Sequence, residues 1–243
     1  MRMLYIAAVL GTALPLALCG AASAQTAELT YTPIKGCRAF DTRATAPIGA
    51  NQVRSFHVGG SAQFPGQGGP AHGCGVPASA TAVELSLSTV NASAAGYLTA
   101  FAYNAARPAT VSLTYPAAFT TTSTQILPVN AANVSVFSSR QTHVAGDVTG
   151  YFAPQIAAEI NPSGSIKTAT SRLISAERFA TGNYKLVFDR DVSSCIPVIS
   201  PTNPGSTPVI NTVMGAALYV VNWSPGEVGY AAADDGFLIA VHC

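Results

Sequence analysis

Residues 142–152 read THVAGDVTGYF. Val144, Gly146, Val148, Gly150 and Phe152 fall on one side, and His143, Ala145, Asp147, Thr149 and Tyr151 on the other. Alternation at period two marks a β-strand with one face on a core and the other toward water. Ala153-Pro154 follows and the composition changes, so the strand reads as the closing element of a domain that begins near Cys37.

Upstream, the same alternation recurs in short runs. Val83, Leu85 and Leu87 alternate with Glu84, Ser86 and Ser88, and Tyr97, Thr99, Phe101 and Tyr103 share a face. Residues 52–58, 110–115, 125–130 and 133–138 complete the set, separated by turns rich in Gly, Pro, Asn and Ser. Strands at this spacing, with no sustained helical period, predict an antiparallel β-sandwich or small barrel. One long loop interrupts them: residues 59–77 hold seven Gly and three Pro. A loop of this length is either functional or tied down.

Downstream, residues 154–164 (PQIAAEINPSG) read as a linker, because Pro favours extended chain and the apolar content is thin. A second β-sandwich is expected over 165–243. Its clearest strand is NYKLVFD at 183–189, with Tyr184, Leu186 and Phe188 inward and Lys185 outward. Phe237, Ile239 and Val241 repeat the pattern before Cys243. The expected class is all-β: two antiparallel, jelly-roll-like sandwiches, 25–153 and 165–243.

The first 24 residues read as a secretory signal peptide. Arg2 precedes the apolar run 4–18, and Ala22-Ser23-Ala24 supplies small residues before Gln25. The run is shorter than the ~20 residues that span a bilayer, so no membrane insertion is expected. An alternative is a lipoprotein box at 16–19, with Cys19 lipidated and a large Leu18 before it. Export puts Cys37, Cys74, Cys195 and Cys243 in an oxidising compartment, where disulfides are the default. The domain boundary favours Cys37–Cys74 and Cys195–Cys243. Each would contribute about 4 kcal/mol in the chain-entropy model.

Only 9% of residues are charged, and the net charge is near zero. No basic stripe exists to neutralise phosphates, so nucleic acid is not an expected partner.

Several stretches then add up to a likeness. FDTR at 40–43, GVPASATAVELSLSTVNASAAGYLTAF at 75–101, ARP at 106–108 and THVAGDVTGYF together resemble a module that recurs in secreted bacterial proteins. The resemblance covers about residues 33–153. It implies an accessory part beside catalytic or surface domains, without chemistry of its own. Cys37 and Cys74 are not obligatory in that pattern. GNYKLVFDRDVSSC at 182–195, with GFLIAVHC at 236–243, resembles a second recurrent C-terminal segment. It is similar in layout to small jelly-roll heads of trimeric fibres and complement-like proteins, which implies self-association of the kind seen in a trimer.

Reactive constellations are sparse. His143 and Asp147 lie four apart on a strand, about 13 Å, too far for a couple. Ser138 and Ser139 lie outside any G-x-S-x-G elbow. No catalytic residue, cofactor or metal site is therefore expected. His72 and Cys74 lack zinc-ligand spacing, and the Asp-rich 189–191 and 234–235 read as turn formers. Asp41, Arg43 and Asp147 are expected to form a buried or half-buried ion network, such that Arg43→Ala lowers the melting temperature. The remaining lever is aromatic: Trp223, Tyr230, Tyr97 and Tyr103 are candidates for stacking on sugar rings. The expected function is non-catalytic, extracellular recognition of a cell-surface or cell-wall glycan. The rival is an oligomerising subunit of a surface fibre, and a secreted hydrolase is a distant third.

Overall fold

The computed structural model describes residues 28–243, so the expected signal peptide and Cys19 lie outside the described residues. The described chain is all-β and antiparallel, and forms two sandwiches with separate cores. Strands are numbered in chain order.

The first sandwich opens with β1 (Leu29–Asp41) and β2 (Gln52–His57). β3 (Ala82–Val90), β4 (Gly96–Ala102), β5 (Leu113–Tyr115), β6 (Thr121–Pro128), β7 (Asn133–Ser138) and β8 (His143–Pro154) follow. One sheet runs β1-β8-β3-β6 and the other β2-β7-β4-β5. Val83, Leu85, Leu87, Val144 and Val148 face Phe56, Leu98, Val134 and Val136 across the core, all completely buried. Phe40 and Phe56 join the sheets by stacking, with ring centroids 4.0 Å apart. The outer face is polar: Ser86 pairs with Thr124 and Ser88 with Thr122 through hydroxyl contacts of 2.6 and 2.7 Å.

The central strand departs from simple alternation. Leu85 lies opposite Val148 but Glu84 opposite Gly150, so Thr149 is an extra residue. A β-bulge of this kind changes the phase of the side chains beyond it. Tyr151 therefore turns into the core, and Phe152 turns outward onto Tyr31 with centroids 5.1 Å apart. The plain alternation assigned these two the opposite way.

The Gly/Pro loop is tied down. Cys74 is bonded to Cys37, with Cα atoms 5.6 Å apart. Gln67, itself buried, donates to the carbonyls of Ala39 and His57 and accepts the amide of His57. Phe64 is fully buried beside them.

The second sandwich starts sooner than composition suggests. Residues 156–160, read above as linker, are strand β9 (Ile156–Ile160). Its three apolar side chains alternate and all enter the second core. Only Gln155 separates it from β8. The reason is partnership: an alternation too short to count alone is stabilised by a neighbour on each side. These are β10 (Ile166–Ala169) and β17 (Phe237–His242). β13 (Ile196–Pro201) completes that sheet, in the order β10-β9-β17-β13.

The facing sheet runs β11 (Leu173–Ala180), β12 (Asn183–Phe188), β15 (Ala217–Gly226), β14 (Thr207–Met214), with β16 (Gly229–Ala232) on the end of β15. Tyr184, Leu186 and Phe188 point inward as read from the sequence, and so do Phe237, Ile239 and Val241. Cys195 and Cys243 are bonded, with Cα atoms 4.4 Å apart. No helix among the described residues is long and apolar enough to cross a membrane.

The ion network of the first sandwich is centred on Arg38, which the sequence did not single out. Arg38 bonds Asp147 through Nε (2.6 Å) and Nη2 (3.1 Å), and Asp41 through Nη1 (2.8 Å). Arg43 forks onto Asp41 alone, through Nε and Nη2. The Arg38 and Arg43 side chains are 41% and 52% exposed and the Asp41 and Asp147 carboxylates 14% and 31%, so the network is half-buried, with its arginines open to solvent. Solvent screening makes such pairs worth less than about 1 kcal/mol each. Arg43→Ala is accordingly expected to change the unfolding temperature little. Arg38→Ala, which loses both carboxylates, is expected to cost on the order of 1 kcal/mol. Arg43, bonded to the Asp41 carboxylate, lowers the Asp41 pKa from 3.8 to about 2. A depressed acid stabilises the fold above its ordinary pKa, and the contribution disappears as pH falls through about 2. Whatever small difference Arg43→Ala makes near neutral pH should therefore vanish between pH 4 and pH 2 in unfolding curves run beside wild type.

Candidate binding surfaces

The four aromatic candidates divide between the sandwiches. Tyr97 lies on β4 with its ring 5.8 Å from that of Phe137, whose other contact is the Arg107 guanidinium at 3.8 Å. Tyr103 lies in the turn just beyond β4 and is partly exposed. Trp223 and Tyr230 are on β15 and β16, in the second sandwich. The sequence grouped the two pairs; the fold places them on different sheets.

The second pair belongs to a larger surface. Directly opposed residues of antiparallel strands point to the same side. Trp223 is opposite Thr207 and Ala232, Pro225 opposite Tyr230, and Val221 opposite Val209. Leu218, Val220 and Asn222 of β15 are buried toward the core, so Tyr219, Val221, Trp223 and Pro225 line the outer face. Phe179 of β11 meets Tyr219 edge-on at 6.2 Å. Trp223 and Tyr230 are diagonal neighbours and remain 39% and 67% exposed. The six residue-to-residue steps from Tyr219 to Pro225 extend this aromatic band over about 20 Å. Lys185, opposite Tyr219, and Thr207, opposite Trp223, give it polar margins. Phe179 and Tyr219 had no distinguishing signal in the sequence beyond alternation.

The other sheet of the second sandwich carries a trough of about 490 Å³ on its outer face. Ala157 and Ala240 form the lining with Leu238 and Val198, and Glu159 and Thr168 lie along it. Glu159 is held by Lys167 at 2.8 Å. Small residues in the middle of the sheet and larger ones beside them account for the hollow.

The remaining polar candidates are engaged in structure. Ser138 hydroxyl donates to Arg140 O (2.6 Å) and contacts Tyr115 Oη, while Ser139 Oγ accepts the Tyr97 amide. His143 Nδ1 lies 3.2 Å from the Thr42 hydroxyl. Asp191 caps Ser193, whose hydroxyl and amide bonds lower its pKa. Asp234 accepts from Arg178 and Gly182, which lower its pKa. Asp235 accepts from Asn203 and Gly236. Asp189 is no turn former: it is buried against Arg172. Among the described residues, no group of three or more His, Cys, Asp or Glu side chains is placed to hold a metal ion. No protein-family model, curated protein or solved structure matches the chain.

Proposed function

We propose that this is a secreted, non-catalytic recognition protein whose second sandwich presents the Trp223–Tyr230 band to a cell-surface or cell-wall glycan. The carrying observation is that Trp223, Pro225 and Tyr230 share one exposed face of the β15–β16 ribbon. Solvent-facing rings in a row with polar margins suit the apolar faces of sugars. The first sandwich serves as a rigid support, consistent with its polar outer face and its tied-down loop.

Trp223 is the only tryptophan, so intrinsic fluorescence reports on this surface alone. Titration with soluble peptidoglycan fragments and a panel of neutral oligosaccharides is expected to shift its emission. Trp223→Phe should retain binding measured by calorimetry, and Trp223→Ala should weaken it roughly tenfold. Emission unmoved by every saccharide would remove the proposal.

The trough supports a second reading, in which the protein is a self-associating subunit. Ile196, Val198 and Leu238 are exposed on the sheet that carries it. Light-scattering mass, run beside the titration, separates the two: a stable oligomer without sugar binding favours the subunit.

A further inference from the structure

The band on the second sandwich has two aromatic ends joined by an aliphatic floor. Phe179 and Tyr219 form one end, and Trp223 with Tyr230 forms the other. Between them Val221 lies opposite Val209, which is exposed. Tyr219 and Trp223 are four residues apart on one side of β15, so about 13 Å separates them along the strand. One sugar ring, or a disaccharide, is too short to stack on both ends.

The band is an open face, with Phe179, Trp223 and Tyr230 all exposed. A ligand is covered there on one side only. Each ring then supplies a single stacking contact, a factor of roughly three to ten in affinity. Contacts made at both ends by one ligand multiply, because the second forms within the same complex. Length is therefore the source of affinity on such a surface.

Shape and charge narrow the ligand further. Beyond Trp223, β15 is paired with β16 alone. Two-stranded ribbons twist more than wider sheets, so the rings follow a twisted path and not a plane. A single chain in solution can follow that path, whereas the flat face of a crystalline polymer cannot. Arg178 and Lys185 are the cations of these five strands. Lys185 faces Glu177 at 3.5 Å, and Arg178 is paired with Asp234. Glu227 in the β15–β16 turn and Asp235 beyond β16 add negative charge. A uronate or phosphate-linked polymer finds no spare cation on this face.

We propose that the band binds the interior of a neutral, unbranched glycan chain in extended form, laid along β15 so that separate sugar units stack at its two ends. This rests on the glycan reading above and adds to it the form of the ligand. Chains of β-linked glucose and of β-linked N-acetylglucosamine share the required chemistry: straight, uncharged, with apolar C–H faces along their length.

The test is calorimetric titration of the intact protein with both series, each at two and at six units. Six units of at least one series are expected to bind roughly tenfold or more tighter than two, and the series that binds names the sugar. Tyr219→Ala, or Phe179→Ala if that variant does not fold, is expected to weaken the six-unit ligand roughly three- to tenfold. Trp223 emission should still respond to sugar in these variants, which separates loss of one end from loss of the whole site. Equal affinity for two and six units overturns the chain form and leaves the glycan reading intact. So does six-unit affinity unchanged in the Tyr219 and Phe179 variants, or equally tight binding of hexagalacturonate or of the bent chain maltohexaose. Binding to microcrystalline polymer alone, with the soluble six-unit chains silent, has the same consequence. If no saccharide binds in any form, the glycan reading itself fails and this inference with it.

Discussion

Gly146→Val is expected to unfold the first sandwich, or to cost it more than about 3 kcal/mol, beyond the usual range for overpacking. Gly146 lies in the middle of β8, opposite both Phe40 and Leu87. A Cβ at this position would lie 2.2 Å from Phe40 Cζ and 2.3 Å from Cε1. No real Cβ contact is so short, so the ring must move. It has nowhere to go: Phe40 is completely buried and already stacked on Phe56. The backbone of Gly146 has no left-handed φ, so the whole cost is steric and not conformational. That makes the claim testable by coupling. Gly146→Ala combined with Phe40→Leu should destabilise less than the two single changes added together, because the smaller side chain vacates the space the methyl needs. Circular dichroism melts of the four proteins measure it. Additive losses, or a Gly146→Val protein with a wild-type melt, would refute the packing account. A total stability of about 5–15 kcal/mol leaves little margin for such a loss.

The same glycine shows what sequence could and could not convey. Read as a small apolar residue on an alternating strand, Gly146 was correctly placed on the inner face; that Phe40 lies flat over it depends on a partner more than a hundred residues away. Strands whose pattern is self-contained were legible, such as Tyr184–Leu186–Phe188 and Phe237–Ile239–Val241. Tyr151 and Phe152 were not, because the bulge at Thr149 arises from pairing with β3 and leaves no local mark. β9 was missed because Ile156, Ala158 and Ile160 form too short a run to outweigh the flanking prolines. The local disulfide pairs followed from the cysteine count and the domain boundary. The surfaces were harder. Trp223 and Tyr230 stood out by residue type, but their union with Phe179 and Tyr219 comes from strand register. The trough rests on alanines, which carry no signal of their own. Arg38, Arg172 and Asp189 act across long sequence separations, so composition and spacing had nothing to report about them.

Asp189→Ala is expected to cost about 3–5 kcal/mol, several times more than Asp41→Ala. Both aspartates bond arginine, and the environment decides the difference. The partners of Asp41 are 41% and 52% exposed, so water screens the pair and solvates whichever group is left. The Asp189 and Arg172 side chains are 6% and 5% exposed. Both carboxylate oxygens of Asp189 lie within 3.0 Å of Arg172 Nε, and the Ser79 hydroxyl donates to Oδ2 across the junction of the sandwiches. Removing the carboxylate leaves a guanidinium that water cannot reach, with Nη2 already lacking an acceptor. Asp189→Asn keeps the size and an acceptor for Ser79 but loses the charge, and should fall between alanine and wild type. The double change Asp189→Leu with Arg172→Met removes both charges and fills the space, so it should recover most of the loss. Urea unfolding of the five proteins orders these values. If Asp189→Ala proves no more damaging than Asp41→Ala, or if the apolar double variant is worse than the single one, the pair is not the buried charge couple described here.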